Sequence, residues 1–144
     1  MKVAEILKQK GGDVVTVRPT ETIATFSHRL RMARIGAMVV VGEGGRMEGV
    51  ISERDVVHGL AEHGARCLEL TVADLMTRRV VTCAPGDNIA RIARVMTESR
   101  IRHIPVLDGG KLAGMVSVGD VVKNRMDEMS LEASVLRDIA TAGH

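Results

Sequence analysis

With 144 residues the chain has the length of one ordinary domain or two very small ones, enough to bury about two-thirds of its surface on folding. An apolar fraction of 45%, 26% charged residues and no apolar run near the roughly 18 residues of a membrane span describe a soluble globular chain. The net charge is only +2, the basic residues are dispersed, and Phe26 is the single aromatic, so neither a basic patch nor a stacking platform for nucleic acid is present.

Charges run through the first eight residues, so no secretory signal is expected there. Cys67 and Cys83 make neither a disulfide framework nor a metal-ligand spacing, and the expected compartment is the cytoplasm. In chain order, residues 2–9 predict a helix with Val3, Ile6 and Leu7 on one face, ended by Gly11-Gly12-Asp13. Residues 14–17 predict a strand. A turn through Pro19 leads to a helix carrying Ile23, Phe26 and Leu30, with Gly36 as its stop. Strands at 37–41 and 47–51 flank a glycine-rich turn, and a helix follows from about 53 to 62 with Gly64 as C-cap.

The second half repeats this order. Residues 72–77 echo 3–8, residues 80–83 echo the strand at 14–17, and Pro85 stands where Pro19 did. A helix with Ile89, Ile92, Ala93 and Met96 on one face precedes a strand at 104–107 and the hairpin turn Asp108-Gly109-Gly110. Agreement over about 60 positions is an internal duplication. The expected fold is therefore α/β: two strand-helix-strand-strand-helix units, 3–64 and 72–128, joined by a linker at 65–71 and packed sheet to sheet about a pseudo-twofold axis. The tail, 129–144, predicts a further helix with Leu131, Val135, Leu136 and Ile139 as its apolar residues, a candidate for dimer contact.

Each half carries one copy of a second pattern: Gly49-Val50-Ile51-Ser52-Glu53-Arg54-Asp55 and Gly114-Met115-Val116-Ser117-Val118-Gly119-Asp120. Each copy reads as a strand turning into a helix with the serine as N-cap, which gathers a hydroxyl, a carboxylate and free backbone N–H groups at one helix start. Two readings stand side by side. A carboxylate can accept from both hydroxyls of a ribose while the helix N-terminus favours phosphate; Ser-x-x-Asp is also a capping box whose whole task is to start a helix.

Taken with the Met76-Thr77 lead before the second unit and Arg102-His103-Ile104-Pro105-Val106 on its central strand, the duplicated pattern resembles the cystathionine-β-synthase (CBS) domain pair over roughly residues 3–126. The resemblance implies regulatory binding of an adenosine-containing ligand (AMP, ADP, ATP, NAD or S-adenosylmethionine) in two clefts between the repeats, the aspartate holding the ribose. One cleft would use Ser117 and Asp120 with Arg102 and His103 facing phosphate, closed by the lead from Lys8 to Thr16. The other would use Ser52 and Asp55, closed by Thr77, Arg78 and Val80, with Arg54 standing in for the phosphate partners that Gly36 and Ala37 do not supply. Lys8 replaces the usual threonine of the lead. The Asp120 cleft is the one favoured for a phosphorylated ligand.

No nucleophile paired with a base, phosphate-transfer loop or metal cluster is evident, so the expected activity is regulation rather than catalysis, with a separate effector polypeptide as partner and a homodimer as assembly. The alternative is a ligand-free dimeric adaptor in which both Ser-x-x-Asp copies are only caps. His58 and His63 read as surface residues, Arg29, Arg31 and Arg34 as a solvated helix face, and the nine methionines as core filling.

Overall fold

The computed structural model describes residues 1–142. The first unit consists of β1 (Thr16–Val17), α2 (Ile23–Ala33), β2 (Ala37–Val41), β3 (Met47–Ser52) and α3 (Glu53–His63), preceded by α1 (Val3–Lys10). A short helix α4 (Val72–Leu75) then leads to α5 (Ile89–Ser99), β4 (His103–Asp108), β5 (Lys111–Ser117) and α6 (Val118–Ala142). Strands β1, β2 and β3 form one sheet, with β1 parallel to β2 and β3 antiparallel to it; β4 and β5 form the second, antiparallel pair. This is the expected pair of α/β repeats packed sheet to sheet.

Pairing in the second unit is shorter than the sequence predicts. Residues 80–83 do not form a strand; only Cys83 bridges Val106, donating its N–H to the Pro105 carbonyl while Leu107 N–H reaches the Cys83 carbonyl. Extending that parallel ladder to Val81 would need an N–H from Pro105, which has none. The first unit has Val39 at the corresponding place, and Thr16 and Val17 both pair. Likewise only Thr16 and Val17 of the expected strand at 14–17 are strand.

The helix stop also differs. α2 closes at Arg34, not Gly36, and α5 closes at Arg100, both in the left-handed region at φ 56° and 54°. In each case the next residue, Ile35 or Ile101, sends its N–H back to Leu30 or Met96 and packs on its unit's core, a Schellman turn with its hydrophobic contact. The tail is not a separate helix. α6 runs unbroken for 25 residues, since nothing near Ser130 breaks the helical pattern.

Two separate cores hold the fold. The first gathers Val17, Ile23, Phe26, Leu30, Met38, Val40 and Ile51 with Val72 and Met76. The second gathers Ile89, Ile92, Met96, Ile104, Val106 and Val116 with Val3 and Ile6. The lead helix of each unit thus completes the core of the other. Matching backbone bonds fix the exchange: Val3 and Ala4 N–H reach Asp87 and Pro85, while Val72 and Ala73 reach Glu21 and Pro19. Of the methionines, Met38, Met76 and Met96 are buried, but Met32, Met126 and Met129 are exposed, so the core-filling reading holds only in part. Arg29 is partly exposed but engaged: both Glu21 carboxylate oxygens accept from its Nη1, and the Thr16 carbonyl accepts from Nη2 at 2.7 Å.

Candidate functional site

Both Ser-x-x-Asp copies form helix starts. Ser52 N–H donates to Asp55 Oδ2 at 2.8 Å, and Ser117 N–H donates to Asp120 Oδ2 at the same distance. Capping therefore uses one carboxylate oxygen at each place and leaves Oδ1 for other work. Beyond this the two copies diverge.

At Asp55, Oδ1 accepts, among the described residues, only a long bond from the Thr77 hydroxyl, 3.4 Å. Thr77 comes to that place because α4 stops at Leu75; Met76 is extended, and Thr77 pairs with Val50 on β3. The carboxylate opens into a cavity of about 770 Å³ whose wall includes Ser52, Thr77, Val50, Val57, Val80 and Val81. That volume lies in the range of small-molecule sites. Four arginines, Arg54, Arg79, Arg100 and Arg102, also line it, against two carboxylates, Glu53 and Asp55. The excess of positive charge suits an anion.

Arg102 and His103, which the family pattern groups with Asp120, line the cavity of Asp55 as well as adjoining the Ser117 helix start, where His103 pairs with Ser117 and the Arg102 carbonyl accepts from Val118 N–H. Burial on the strands explains it. Met38 and Val40 enter the first core, and Ile104 and Val106 the second, so alternation turns Val39 and His103 toward the other repeat. The His103 ring lies against Gly36, where a methyl would stand 3.5 Å from its Cε1. Arg102 precedes β4 and escapes the strand's alternation, so both residues reach the cavity. Burial pulls His103 below the usual histidine range; Glu53 opposes that shift, while Lys10 and Arg102 reinforce it.

At Asp120 the partner is a cation. Lys10 Nζ donates to Asp120 Oδ2 at 2.8 Å and to the Met115 carbonyl at 2.9 Å. Burial alone would raise the Asp120 pKa, but the hydrogen bonds from Lys10 and Ser117 outweigh it and hold the carboxyl below its ordinary range. Lys8, the expected lead residue, is exposed and makes no hydrogen bond among the described residues; α1 continues helically past it, so Lys10 reaches the carboxylate instead. Neither Asp120 nor Ser117 lines the 770 Å³ cavity.

The remaining expected residues fall outside this arrangement. Thr16 offers its carbonyl to Arg29, and Arg78 Nη2 turns back toward the Ala73 carbonyl at 3.4 Å; the neighbouring Arg79 faces the cavity. Sequence reasoning missed Arg79, Arg100 and Glu53. Arg100 was within reach, since it sits at the end of an apolar-periodic helix, where a C-cap turn redirects the chain. His58, read as a surface residue, is exposed at the cavity wall. A second groove of about 520 Å³ between α5 and α6 shares Arg54, Arg100 and Arg102 with the first. Among the described residues no group of three or more His, Cys, Asp or Glu is placed to hold a metal ion, and no helix is long and apolar enough to cross a membrane.

Comparison with known proteins gives the same architecture. The structure is similar to that of the CBS-domain containing protein ATU1752 from Agrobacterium tumefaciens, with a TM-score of 0.84 and 41% identity over 86% of this chain and 92% of that one. In sequence it is 31% identical to the mitochondrial CBS domain-containing protein CBSX3 of Arabidopsis thaliana, over 99% of this chain and 73% of that protein. The fold is shared with CBSX2 in complex with AMP (TM-score 0.74, 23% identity, 89% of this chain and 98% of that one). It is shared equally with the CBS domain pair of protein MJ0100 in complex with 5-methylthioadenosine and S-adenosyl-L-methionine (TM-score 0.79, 23% identity, the same coverage). The CBS domain itself matches twice, at residues 3–62 and 72–127, and the chain belongs to the CBS-domain family as a tandem pair.

Proposed function

We propose that this CBS pair is a regulatory module that binds an adenine nucleotide in the Asp55 cleft and passes its occupancy to a separate effector protein. The observation that carries the reading is the Asp55 carboxylate, with one oxygen held only by a long Thr77 bond, opening into a cavity lined by four arginines. The carboxylate would grip the ribose hydroxyls, Val50, Val57, Val80 and Val81 would enclose the base, and the arginines would take the phosphates. That charge favours AMP, ADP or ATP over the sulfonium of S-adenosylmethionine, with NAD intermediate in its charge. AMP-bound and S-adenosylmethionine-bound pairs of the same fold support an adenosyl ligand in general.

The module is not an enzyme in this reading; its output is linkage. The wall draws on β3 and α3 of the first repeat, the segment after α4, and Arg100 to His103 of the second. A ligand touching all three favours one relative arrangement and shifts the population toward it. We place the protein in the cytoplasm as a homodimer. Val118, Val122, Met126, Met129 and Leu136 are exposed at helical spacing along α6, an apolar stripe suited to a second copy. Sedimentation at 15.5 kDa rather than twice that mass would exclude the dimer.

The capping geometry at both helix starts favours one competing reading, a ligand-free adaptor. A thermal-shift panel of AMP, ADP, ATP, NAD and S-adenosylmethionine on wild type and Asp55→Ala decides between them. A ligand at 100 times its dissociation constant stabilises by about 2.7 kcal/mol, or roughly 5–11 °C for a domain of this size. A shift from AMP, ADP or ATP that Asp55→Ala removes is expected. No shift from any of the five would leave the adaptor.

A further inference from the structure

Asp55 and Asp120 are related by the internal duplication, yet their surroundings differ in one decisive way. A neutral hydroxyl stands 3.4 Å from Asp55; an ammonium stands 2.8 Å from Asp120 and is anchored a second time on the Met115 carbonyl. The difference comes from where each lead helix ends. The matched backbone bonds of Val3 and Val72 put Lys8 in register with Thr77. α4 ends before Thr77, whereas α1 winds on to Lys10 and stops only at Gly11, at φ 88°. Two further helical residues carry a cation to the carboxylate that the other repeat leaves accessible.

We propose that Lys10 decides which repeat carries the ligand: it is a tethered counter-ion that cancels the charge of Asp120, so the pair binds one nucleotide, in the Asp55 cleft. The inference rests on the nucleotide reading of Asp55 and adds the number of sites and the residue that sets it. Three features support it. The ammonium neutralises Asp120 without the entropic cost that a free ligand bears in ordering itself. It bridges Asp120 Oδ2 and the Met115 carbonyl, so it acts by cancelling the carboxylate's charge from the capped oxygen rather than by filling Oδ1. It also places positive charge near His103, which lines the Asp55 cavity.

The test is the stoichiometry of ATP binding, measured by equilibrium dialysis on the full chain, for wild type, Asp55→Ala, Lys10→Met and the double variant. Circular dichroism melts establish that each variant is folded, and Lys10→Gln replaces Lys10→Met if the latter melts early. Expected are one ATP per chain for wild type, none for Asp55→Ala, two for Lys10→Met and one for the double variant. Two ATP in wild type, or one in Lys10→Met that the added Asp55→Ala change removes, would overturn the role of Lys10 while the nucleotide reading stands. None in wild type but one in Lys10→Met would keep the role of Lys10 and overturn the Asp55 assignment. ATP bound by none of the four would overturn both.

Discussion

Gly49 and Gly114 open the two motif copies, but replacing each by alanine should have unequal effects. A Cβ at Gly49 would lie 2.5 Å from the Thr77 carbonyl oxygen, 3.3 Å from its carbon and 3.2 Å from Met76 Sδ. The Thr77 backbone cannot yield freely, because Val50 N–H holds its carbonyl at 3.0 Å and Thr77 N–H reaches back to Val50 at 2.9 Å. Overpacking against fixed atoms costs about 1–3 kcal/mol, and weakening one of those bonds adds about 0.5–1.5 kcal/mol. Gly49→Ala should therefore lose about 2–4 kcal/mol. At Gly114 the obstacle is the end of the Leu7 side chain, with Cδ2 at 2.5 Å. A leucine can change rotamer at about 0.5–1.5 kcal/mol, and alanine recovers part of that by restricting the unfolded chain. Gly114→Ala should lose about 1 kcal/mol or less. Urea unfolding followed by circular dichroism measures both, with the difference appearing as a midpoint shift at constant m. Equal losses at the two sites, or a loss under about 1 kcal/mol at Gly49, would refute the assignment of Thr77 as a rigid neighbour.

Three other outcomes follow from the same geometry. Burial depresses His103, so the unfolded chain takes up a proton that the folded chain refuses; its contribution to stability is complete above about pH 6.5 and falls as pH drops through the lower folded value. His103→Gln should flatten that part of the stability-pH curve, and a variant curve parallel to wild type would contradict it. Asp120, held low by Lys10 and Ser117, contributes stability above about pH 3.9 that is lost as pH falls through its folded value. The gap between wild type and Asp120→Asn in urea midpoint should therefore narrow in acid; a gap independent of pH would count against the ion pair. Cys83 is buried, and burial, followed by the charge of Asp87, pushes its thiol up to about 11. Alkylation of the folded chain at pH 8 should be slow, with Cys67 and Cys83 both reacting promptly in denaturant. Rapid modification of Cys83 in the native protein would show that the second core opens.

The sequence by itself determined the repeat, the α/β order of elements and the helix starts, because these depend on local periodicity and on groups within a few residues. Ile89, Ile92 and Met96 recur at helical spacing and are buried in α5; Asp108-Gly109-Gly110 makes the hairpin with both glycines at positive φ. The Ser-x-x-Asp copies form capping boxes whichever repeat they belong to. Tertiary structure decided what meets across the seam. Whether residues 80–83 pair depended on a proline in another strand, and the end of α6 on there being no competing cap near Ser130. Arg79 and Arg100, far apart in sequence, converge on one cavity only after the lead helices exchange cores. Lys10 rather than Lys8 reaches Asp120 because one lead helix is two turns long and the other one. That extra turn of four residues carries Lys10 to Asp120, while Asp55 meets the Thr77 hydroxyl.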